Sequence, residues 1–381
     1  MAVTCPRSSP ARSEQVATRI AFFIAGFGMA AWAPLVPFAK ARIGMNDGVL
    51  GLLLLFLGIG SFVAMPLAGA FAAWVGCRRV VIVSVLAICL ALPLLATVSN
   101  LPILVAVLLL FGAGLGALDV SMNIIAIIVE RASGRAMMSG FHGLFSLGGI
   151  AGAAAVSALL STGASPLMAT LVVVAGIACA LMKAAPHLLP YGGKSDGPVF
   201  AFPRGVVVFI GGLCFVLFLA EGAVLDWSAV FLTSTRGMNT SYAGVGYAAF
   251  ALTMTVGRLT GDRVVQHLGG VKIIVLGGLC SADGFALVAA TPFWPLALGG
   301  FALVGVGCSN IVPVLFTSVG RQTTMPENVA VPAITALGYA GILLGPAAIG
   351  LVARALTLST AFLVVALMLL GVAASGRLLR L

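Results

Sequence analysis

The sequence predicts an all-α integral membrane protein of twelve transmembrane helices, arranged as two pseudo-symmetric six-helix bundles. Three observations predict this fold class. The 381-residue chain is 61% hydrophobic and only 8% charged, which a water-soluble domain of this size would not be. Twelve apolar segments of helical length follow one another along the chain, and motifs of the first six return in the second six.

The apolar segments define the predicted helices, because a bilayer core of about 30 Å requires roughly 20 helical residues. Breaks at polar and Gly/Pro-rich positions give spans at 17–38, 49–73, 80–98, 102–128, 137–161, 165–185, 205–231, 241–262, 271–291, 295–318, 329–353 and 359–376. The long polar connection before the seventh span divides the chain six plus six. The predicted domains are therefore a cytoplasmic tail at 1–16, a bundle at 17–185, a cytoplasmic linker at 186–204 and a bundle at 205–381.

The basic residues predict the orientation, because Lys and Arg near the membrane are retained in the cytoplasm. With both termini inside, sixteen of the 20 basic residues fall on the cytoplasmic side. Only Lys40, Arg42, Arg236 and Arg354 fall outside. The net charge of +10 does not indicate nucleic acid, since the basic residues are dispersed between apolar runs.

An internal repeat relates the two halves with an offset of about 193 to 195 residues. Trp32 in the first half corresponds to Trp227 in the second. The Gly-Met-Asn sequence of 44–46 returns at 237–239, and GCRRVVI at 76–82 returns as GGVKIIV at 269–275. In a parallel six-plus-six repeat, a solute site lies between the halves near the midplane and access alternates as the halves rock.

The segment GAFAAWVGCRR, residues 69–79, is similar to the Gly-x-x-x-Asp-Arg-x-Gly-Arg-Arg gating motif of the major facilitator superfamily, which the whole chain resembles. Ala73 and Trp74 stand where that motif has its acid and first base, whereas Arg78 and Arg79 match its last two bases. The resemblance implies the fold of that superfamily, and a gating role for the two arginines.

The second half carries a related segment, GRLTGDR at 257–263. Arg258 and Asp262 are candidate gating residues there. The alternative is an ion pair between the two side chains at i,i+4 on one helix.

A narrower resemblance joins the chain to a bacterial branch related to fucose:proton symporters. It rests on ALDVSMN at 117–123, FHGLFSLGG at 141–149 and LAEGAVLDWSAV at 219–230. In the sugar symporters, an acid and an Asn on the fourth helix take part in proton coupling and sugar binding, and Asp119 and Asn123 match them. The resemblance implies a multi-pass protein of the bacterial inner (plasma) membrane, with both termini cytoplasmic.

Asp119 is also singled out by its own position, near the middle of the fourth span. A charge there costs at least ~2.5 kcal/mol. Gly112, Gly116, Asp119 and Asn123 recur at steps of four, three and four, so they share one small, polar helix face. A carboxylate at this depth can hold a proton near neutral pH and release it when water arrives, which suits proton coupling. The alternative is an acid that braces helix packing.

Other polar residues in apolar spans are further candidates. Glu221 is predicted to couple protons, and it points about 140° away from Asp226 on the seventh helix. The residues predicted to bind substrate, besides Asn123, are His142, Asn310, Trp32 and Trp227. The two tryptophans have a second interpretation as anchors in the aromatic belt at the membrane surface.

The leading functional hypothesis is a secondary active transporter that moves a small polar solute, with sugars or polyols favoured, by proton-coupled alternating access. A proton-driven exporter of amphiphilic compounds and a transporter-derived sensor are the alternatives. An enzyme is not expected, because His142, His187 and His267 are far apart in sequence. We expect no cofactor and no metal site; the partners are the solute, protons and the lipid bilayer, and the protein is expected to be a monomer without nucleic acid.

Overall fold

The computed structural model describes residues 12–45, 47–190, 202–239, 242 and 244–378, and these residues form helices with short connections and no β-strand. Parts of the predicted tail and linker, residues 1–11 and 191–201, lie outside the described residues. The described α-helices are α1 Arg12–Ala31, α2 Val36–Ile43, α3 Asp47–Val75, α4 Cys77–Thr97, α5 Leu101–Ser133, α6 Met138–Ser161, α7 Pro166–Ala184, α8 Val206–Val230, α9 Val245–Leu268, α10 Gly270–Ala290, α11 Trp294–Cys308, α12 Ile311–Val319, α13 Glu327–Ala355 and α14 Leu358–Ser375.

These helices account for the predicted spans. The first span is α1 followed by α2, with a short 3-10 turn at Ala33–Leu35 between them, and the tenth is α11 followed by α12. Eleven segments of the described chain are long and apolar enough to cross a membrane. Helix α9 is of similar length, but it carries Arg258, Asp262 and Arg263. With α9 included, the predicted all-α membrane protein with twelve spans is confirmed.

The described residues pack as two compact units. The first contains those up to Arg135, those of Leu144–Pro203 and those of Met325–Ala333. The second contains Ala136–Gly143 and the described residues of Arg204–Thr324 and Ile334–Leu381. The first turns of α6 thus pack with the second unit, and the first turns of α13 pack with the first.

Small residues allow α3 and α5 to pack with their backbones in contact inside the first unit. A Cβ added at Gly112 would collide with the backbone of Leu57, and one at Gly116 with the backbone of Ser61. The Ser61 hydroxyl donates to the carbonyl of Gly112 at 2.8 Å. Close approach at small residues and interhelical hydrogen bonds are how helices associate in lipid, where burial of apolar surface gives little.

The internal repeat is visible in two arginines that bind the last carbonyls of a helix. In the first unit, Arg42 donates to the carbonyls of Val98, Ala96 and Leu95 at 2.6 to 2.9 Å. In the second unit, Arg236 donates to the carbonyls of Ala289 and Val288, at 2.8 and 3.3 Å. Each guanidinium therefore caps the carboxyl end of the third membrane span of its half, which is α4 in the first half and α10 in the second. The last carbonyls of a helix lack intrahelical partners. Cations are also favoured there by the helix dipole.

Candidate functional site

Asp119 and Asn123 lie one turn apart near the middle of the 33-residue helix α5. The Asn123 amide donates to the carboxylate oxygen Oδ1 of Asp119 at 3.1 Å and to its carbonyl at 2.9 Å. Asn123 is fully buried, whereas Asp119 is partly exposed. The amide therefore fixes the orientation of the carboxylate, while the other carboxylate oxygen is the one that can face a proton donor or a solute.

Two polar atoms in this part of α5 are buried without a hydrogen-bond partner in the described chain. The Oδ1 of Asn123 and the Oγ of Ser121 have no hydrogen-bond partner among the described residues. A buried polar atom without a partner costs about 1 to 3 kcal/mol. Ser121 was not predicted from the sequence, because a Ser in an apolar helix commonly bonds back to its own backbone.

Trp32 and Trp227, which the repeat relates, are placed alike in their own units. Trp32 is 5% exposed at the end of α1, and Trp227 is half-buried near the end of α8. The indole N–H groups of both are buried without a hydrogen-bond partner among the described residues. An anchor of the aromatic belt would direct its indole N–H to the membrane surface. The burial therefore favours a role inside the protein over that of an aromatic-belt anchor for both tryptophans.

Glu221 and Arg258 form an ion pair between α8 and α9, with 3.3 Å between Oε1 and Nη2. Their side chains are only 19% and 8% exposed. The Arg258 Nε also donates to the carbonyl of Ser309 at 3.3 Å. This contact places the Arg258 side chain in the interior of the second unit, and its role in a gate with Asp262 stays a prediction.

The carbonyl of Ser309 is available because the tenth span is broken there. Pro313 has no N–H, so it cannot donate to the carbonyl four residues earlier, which is that of Ser309. Helix α11 ends at Cys308 and α12 begins at Ile311. The predicted span at 295–318 is therefore two half-helices, and the break between them supplies a backbone acceptor to Arg258.

Asn310 lies in this break and is buried. Its amide donates to the carbonyl of Gly257 at 3.1 Å and to the hydroxyl of Ser309 at 3.0 Å. Its Oδ1 has no partner among the described residues. A Cβ at Gly261 would collide with that oxygen, so the glycine makes room for it.

His142, on the part of α6 that packs in the second unit, lies beside the same groups. Its ring contacts that of Phe316, with centroids 5.7 Å apart, and it is close enough to Arg258 for the guanidinium charge to act on the imidazole. The structure thus brings Glu221, Arg258, Asn310 and His142 into one polar cluster of the second unit.

The predicted gating residues have separate contacts. Asp262 accepts a hydrogen bond from the N–H of Gly140 at 2.9 Å, in the first turn of α6. Arg78 donates to the carbonyls of Leu188 and Pro186, just after α7. Arg79 is exposed. Arg78 therefore braces the end of α7 through backbone acceptors.

The ion pair between Arg131, at the end of α5, and Glu327, at the start of α13, was not predicted. The sequence places 196 residues between the two, so no local spacing could have paired them. It lies in the first unit, near Gly69, where an added Cβ would collide with the backbone of Asn328 and the ring of Pro332.

A helical membrane protein with polar groups buried inside its spans, and with an internal repeat, is of the transporter class. A family model described as Major Facilitator Superfamily matches residues 19–329. The chain belongs to the Major Facilitator Superfamily of transporters, and it is not an enzyme.

Named relatives agree with this assignment. An uncharacterized MFS-type transporter of Yersinia pestis is 59% identical over 369 residues, which cover 97% of this chain and 96% of the relative. The membrane protein MosC of Rhizobium meliloti is 32% identical over 345 residues, with 90% and 84% of the two chains covered.

Solved structures show the same fold. The crystal structure of the Escherichia coli fucose:proton symporter FucP superposes with a TM-score of 0.83 at 16% identity, covering 96% of this chain and 98% of FucP. The human organic anion transporter MFSD10 superposes with a TM-score of 0.76 at 17% identity, covering 98% and 100%.

Proposed function

We propose that this transporter moves a small polar solute by proton-coupled alternating access, with the sugar and polyol class favoured. The observation that carries the proposal is Asp119, a carboxyl group in the middle of a membrane-spanning helix, oriented by Asn123 and partly exposed. Such an acid is costly in a membrane and by default marks a proton or solute pathway. The likeness to the FucP fold supports the same solute class by analogy.

The roles of the other candidate residues are proposed from the polar and aromatic groups that they carry. Asp119 and Glu221 bind and release the coupling protons. Asn123, His142 and Asn310 offer polar groups to the solute, and the indoles of Trp32 and Trp227 stack on it and donate hydrogen bonds. Aromatic faces with a polar edge suit the alternating apolar and hydroxylated surface of a sugar.

The experiment that tests this function is solute-driven proton movement into proteoliposomes loaded with a pH-sensitive dye. Sugars, polyols, organic acids and cationic amphiphiles are added in turn outside, at equal pH on both sides. Symport predicts acidification of the lumen by one solute class and none in protein-free liposomes. Alkalinisation by amphiphiles alone would support the exporter instead, and no proton movement with a transported solute would contradict the proposal.

For the orientation, we propose that both termini face the cytoplasm of a bacterial inner membrane and that the monomer is the working form. The bundles at 17–185 and 205–381, joined by the linker 186–204, are its moving parts. Arg42 and Arg236 are two of the four basic residues predicted outside, and so are exceptions to the rule that basic residues stay in the cytoplasm. Both are bound to helix carbonyls, which gives them a structural role and supports this orientation. Green fluorescent protein fused to the C-terminus should fluoresce, and a dark fusion of full-length protein would contradict this orientation.

Of the predicted gating residues, Asp262 has the contact that supports a gate. The N–H of Gly140 is one of the first four of α6, which have no acceptor inside the helix, and Asp262 supplies the acceptor together with a negative charge at the positive end of the helix dipole. In the first half, the position that corresponds by an offset of 193 is Gly69, which packs against the start of α13 without a charge. An acid therefore stands at this position in the second half of the repeat and a glycine in the first.

Asp262→Asn should loosen this gate while keeping the hydrogen-bond acceptor. The lost charge–dipole interaction is about 0.3 to 1 kcal/mol, which corresponds to amide exchange up to about fivefold faster at the start of α6. Hydrogen–deuterium exchange of a peptide covering 136–145 measures it. The control is Arg263→Gln, an exposed neighbour on α9. If the exchange rate of this peptide equals that of the control, Asp262 does not act in the gate.

A further inference from the structure

The guanidinium of Arg258 is held from two sides inside the second unit. On one side is the carboxylate of Glu221, and on the other is the carbonyl of Ser309, freed by Pro313 at the break between α11 and α12. Neither contact is local in sequence, since they join α9 to α8 and to the end of α11. The cation is thus fixed in position by a backbone group that cannot titrate and by a carboxylate that can.

The groups around this pair are polar but carry no second fixed cation among the residues described. Asn310 Oδ1 and Ser228 Oγ are buried without hydrogen-bond partners in the described chain. Within the part of the chain that the structure describes, four other titratable groups are close enough to interact electrostatically with the pair: Cys214 on α8, Tyr247 on α9, Cys308 on α11 and His142 on α6. Asp226, further along α8, interacts with Tyr247. Glu221 lies within hydrogen-bond distance of Arg258, at 3.3 Å.

Such a pair responds strongly to the loss of one charge. Removing one partner of a buried ion pair is strongly destabilising, because the remaining charge is uncompensated. When Glu221 takes up a proton, Arg258 loses the negative charge of this partner, and an anion of the solute can replace it. A planar guanidinium matches a carboxylate in shape and donors, better than an ammonium would.

We propose that Arg258 binds an acidic group of the transported solute, and that Glu221 occupies its place until it is protonated. The inference rests on the proposed transport function and narrows its small polar solute to a hydroxylated carboxylic acid, a sugar acid or polyol acid in place of the neutral compound. A proton passes from water to a carboxylate oxygen of Glu221, which becomes neutral. The carboxylate of the solute then accepts hydrogen bonds from Arg258, so the site is neutral before and after, and one proton enters with each anion.

Matched pairs of solutes test this directly, because they differ only in the acid group. Galacturonate is compared with galactose, gluconate with glucitol and lactate with propane-1,2-diol. Binding to purified protein in nanodiscs is measured by isothermal titration at pH 5.5 and pH 7.5. At least one acid should bind at least tenfold more tightly than its neutral match, and more tightly at the lower pH. If every neutral member binds as well as its acid, or none of the acids binds at pH 5.5, the inference is wrong.

Variants separate the two partners. Glu221→Gln imitates the protonated acid, so it should bind the acid at pH 7.5 as tightly as the wild type does at pH 5.5. Arg258→Gln should bind no acid at either pH. Because that variant leaves Glu221 unpaired and can misfold, the double variant Glu221→Gln with Arg258→Gln is included; it has no unpaired charge and should unfold at the wild-type temperature, yet bind no acid. Acid binding by the double variant would overturn the assignment.

Failure of this inference is distinguishable from failure of the proposed function. If neutral solutes drive protons into wild-type proteoliposomes but no acid binds through Arg258, the transport function stands and the acid site does not. If an acid binds through Arg258 but moves no protons in the wild type, the acid site stands and proton coupling does not. Arg263→Gln, exposed on the same helix, should behave as wild type in both assays.

Discussion

Asp119→Asn should abolish the accumulation of solute driven by a pH gradient while leaving solute exchange at equilibrium in place. The amide keeps the size of the side chain and can still accept a hydrogen bond from Asn123, so the fold and the solute site persist. It cannot take up and release a proton. Uptake of radiolabelled solute into proteoliposomes should fall to the level of protein-free liposomes under a pH gradient. Counterflow without a gradient should stay within about tenfold of the wild type, because the neutral amide forms weaker hydrogen bonds than the carboxylate.

The control for this prediction is Asp226→Asn. Asp226 is an exposed acid near the end of α8 and its loss removes the same charge from the chain. Accumulation by this variant should match that of the wild type. Gradient-driven accumulation by Asp119→Asn at the same rate as by Asp226→Asn would make Asp119 a packing residue.

Gly116→Val should unfold the first unit, or prevent it from forming. The Cβ of any larger residue at this position would overlap the backbone of Ser61 on α3, which cannot move aside as the end of a side chain can. Overpacking of this kind costs about 1 to 3 kcal/mol where neighbours can shift, and we expect at least the upper end of that range here. Thermal unfolding in dodecyl maltoside measures the change.

Gly176→Val is the matched control, because a Cβ there meets no atom within 4 Å and the residue is exposed on α7. Its unfolding temperature should equal that of the wild type or exceed it slightly, since Val is a better helix former than Gly. Equal unfolding temperatures for Gly116→Val and Gly176→Val would show that α3 and α5 are not in backbone contact.

Hydropathy predicts most of this fold because membrane helices must satisfy their own backbone and cover it with apolar side chains. The exception, α9, shows the limit. Its Arg258 and Asp262 lower its hydropathy, yet both are satisfied by groups on other helices, Glu221 and the N–H of Gly140. A single sequence shows the polar residues but does not give their partners, since those depend on helix packing.

Proline makes the same point for the broken tenth span. Pro66 and Pro93 lie inside the continuous helices α3 and α4, whereas the helix breaks three residues before Pro313. The residue type is the same, so the break depends on acceptors and donors nearby, here Arg258 on α9 and Gly257. The sequence predicts one continuous span at 295–318, whereas the structure has two half-helices, α11 and α12.

The interpretation of α5 changes in a similar way. Gly112 and Gly116 share a face with Asp119 in sequence, which suggested one polar surface. In the structure the glycines pack against Leu57 and Ser61, so their role is close packing. Asp119 and Asn123 remain as the polar pair of that helix. The sequence singles out the acid by its depth and by its match to the sugar symporters, whereas the roles of its neighbours depend on contacts.

Proton coupling at Asp119 is tested most directly by the current that a solute evokes from proteoliposomes on a solid-supported membrane. The panel contains sugars, polyols and the matched carboxylic acids, applied to wild type, Asp119→Asn and Asp226→Asn at identical protein density. For a neutral solute moved with a proton, the wild type and Asp226→Asn should give a positive inward current that Asp119→Asn lacks. For an acid, whose charge one proton cancels, the same loss should appear as an absent lumenal pH change recorded in parallel. Equal currents and pH changes in Asp119→Asn and the wild type would contradict the assignment.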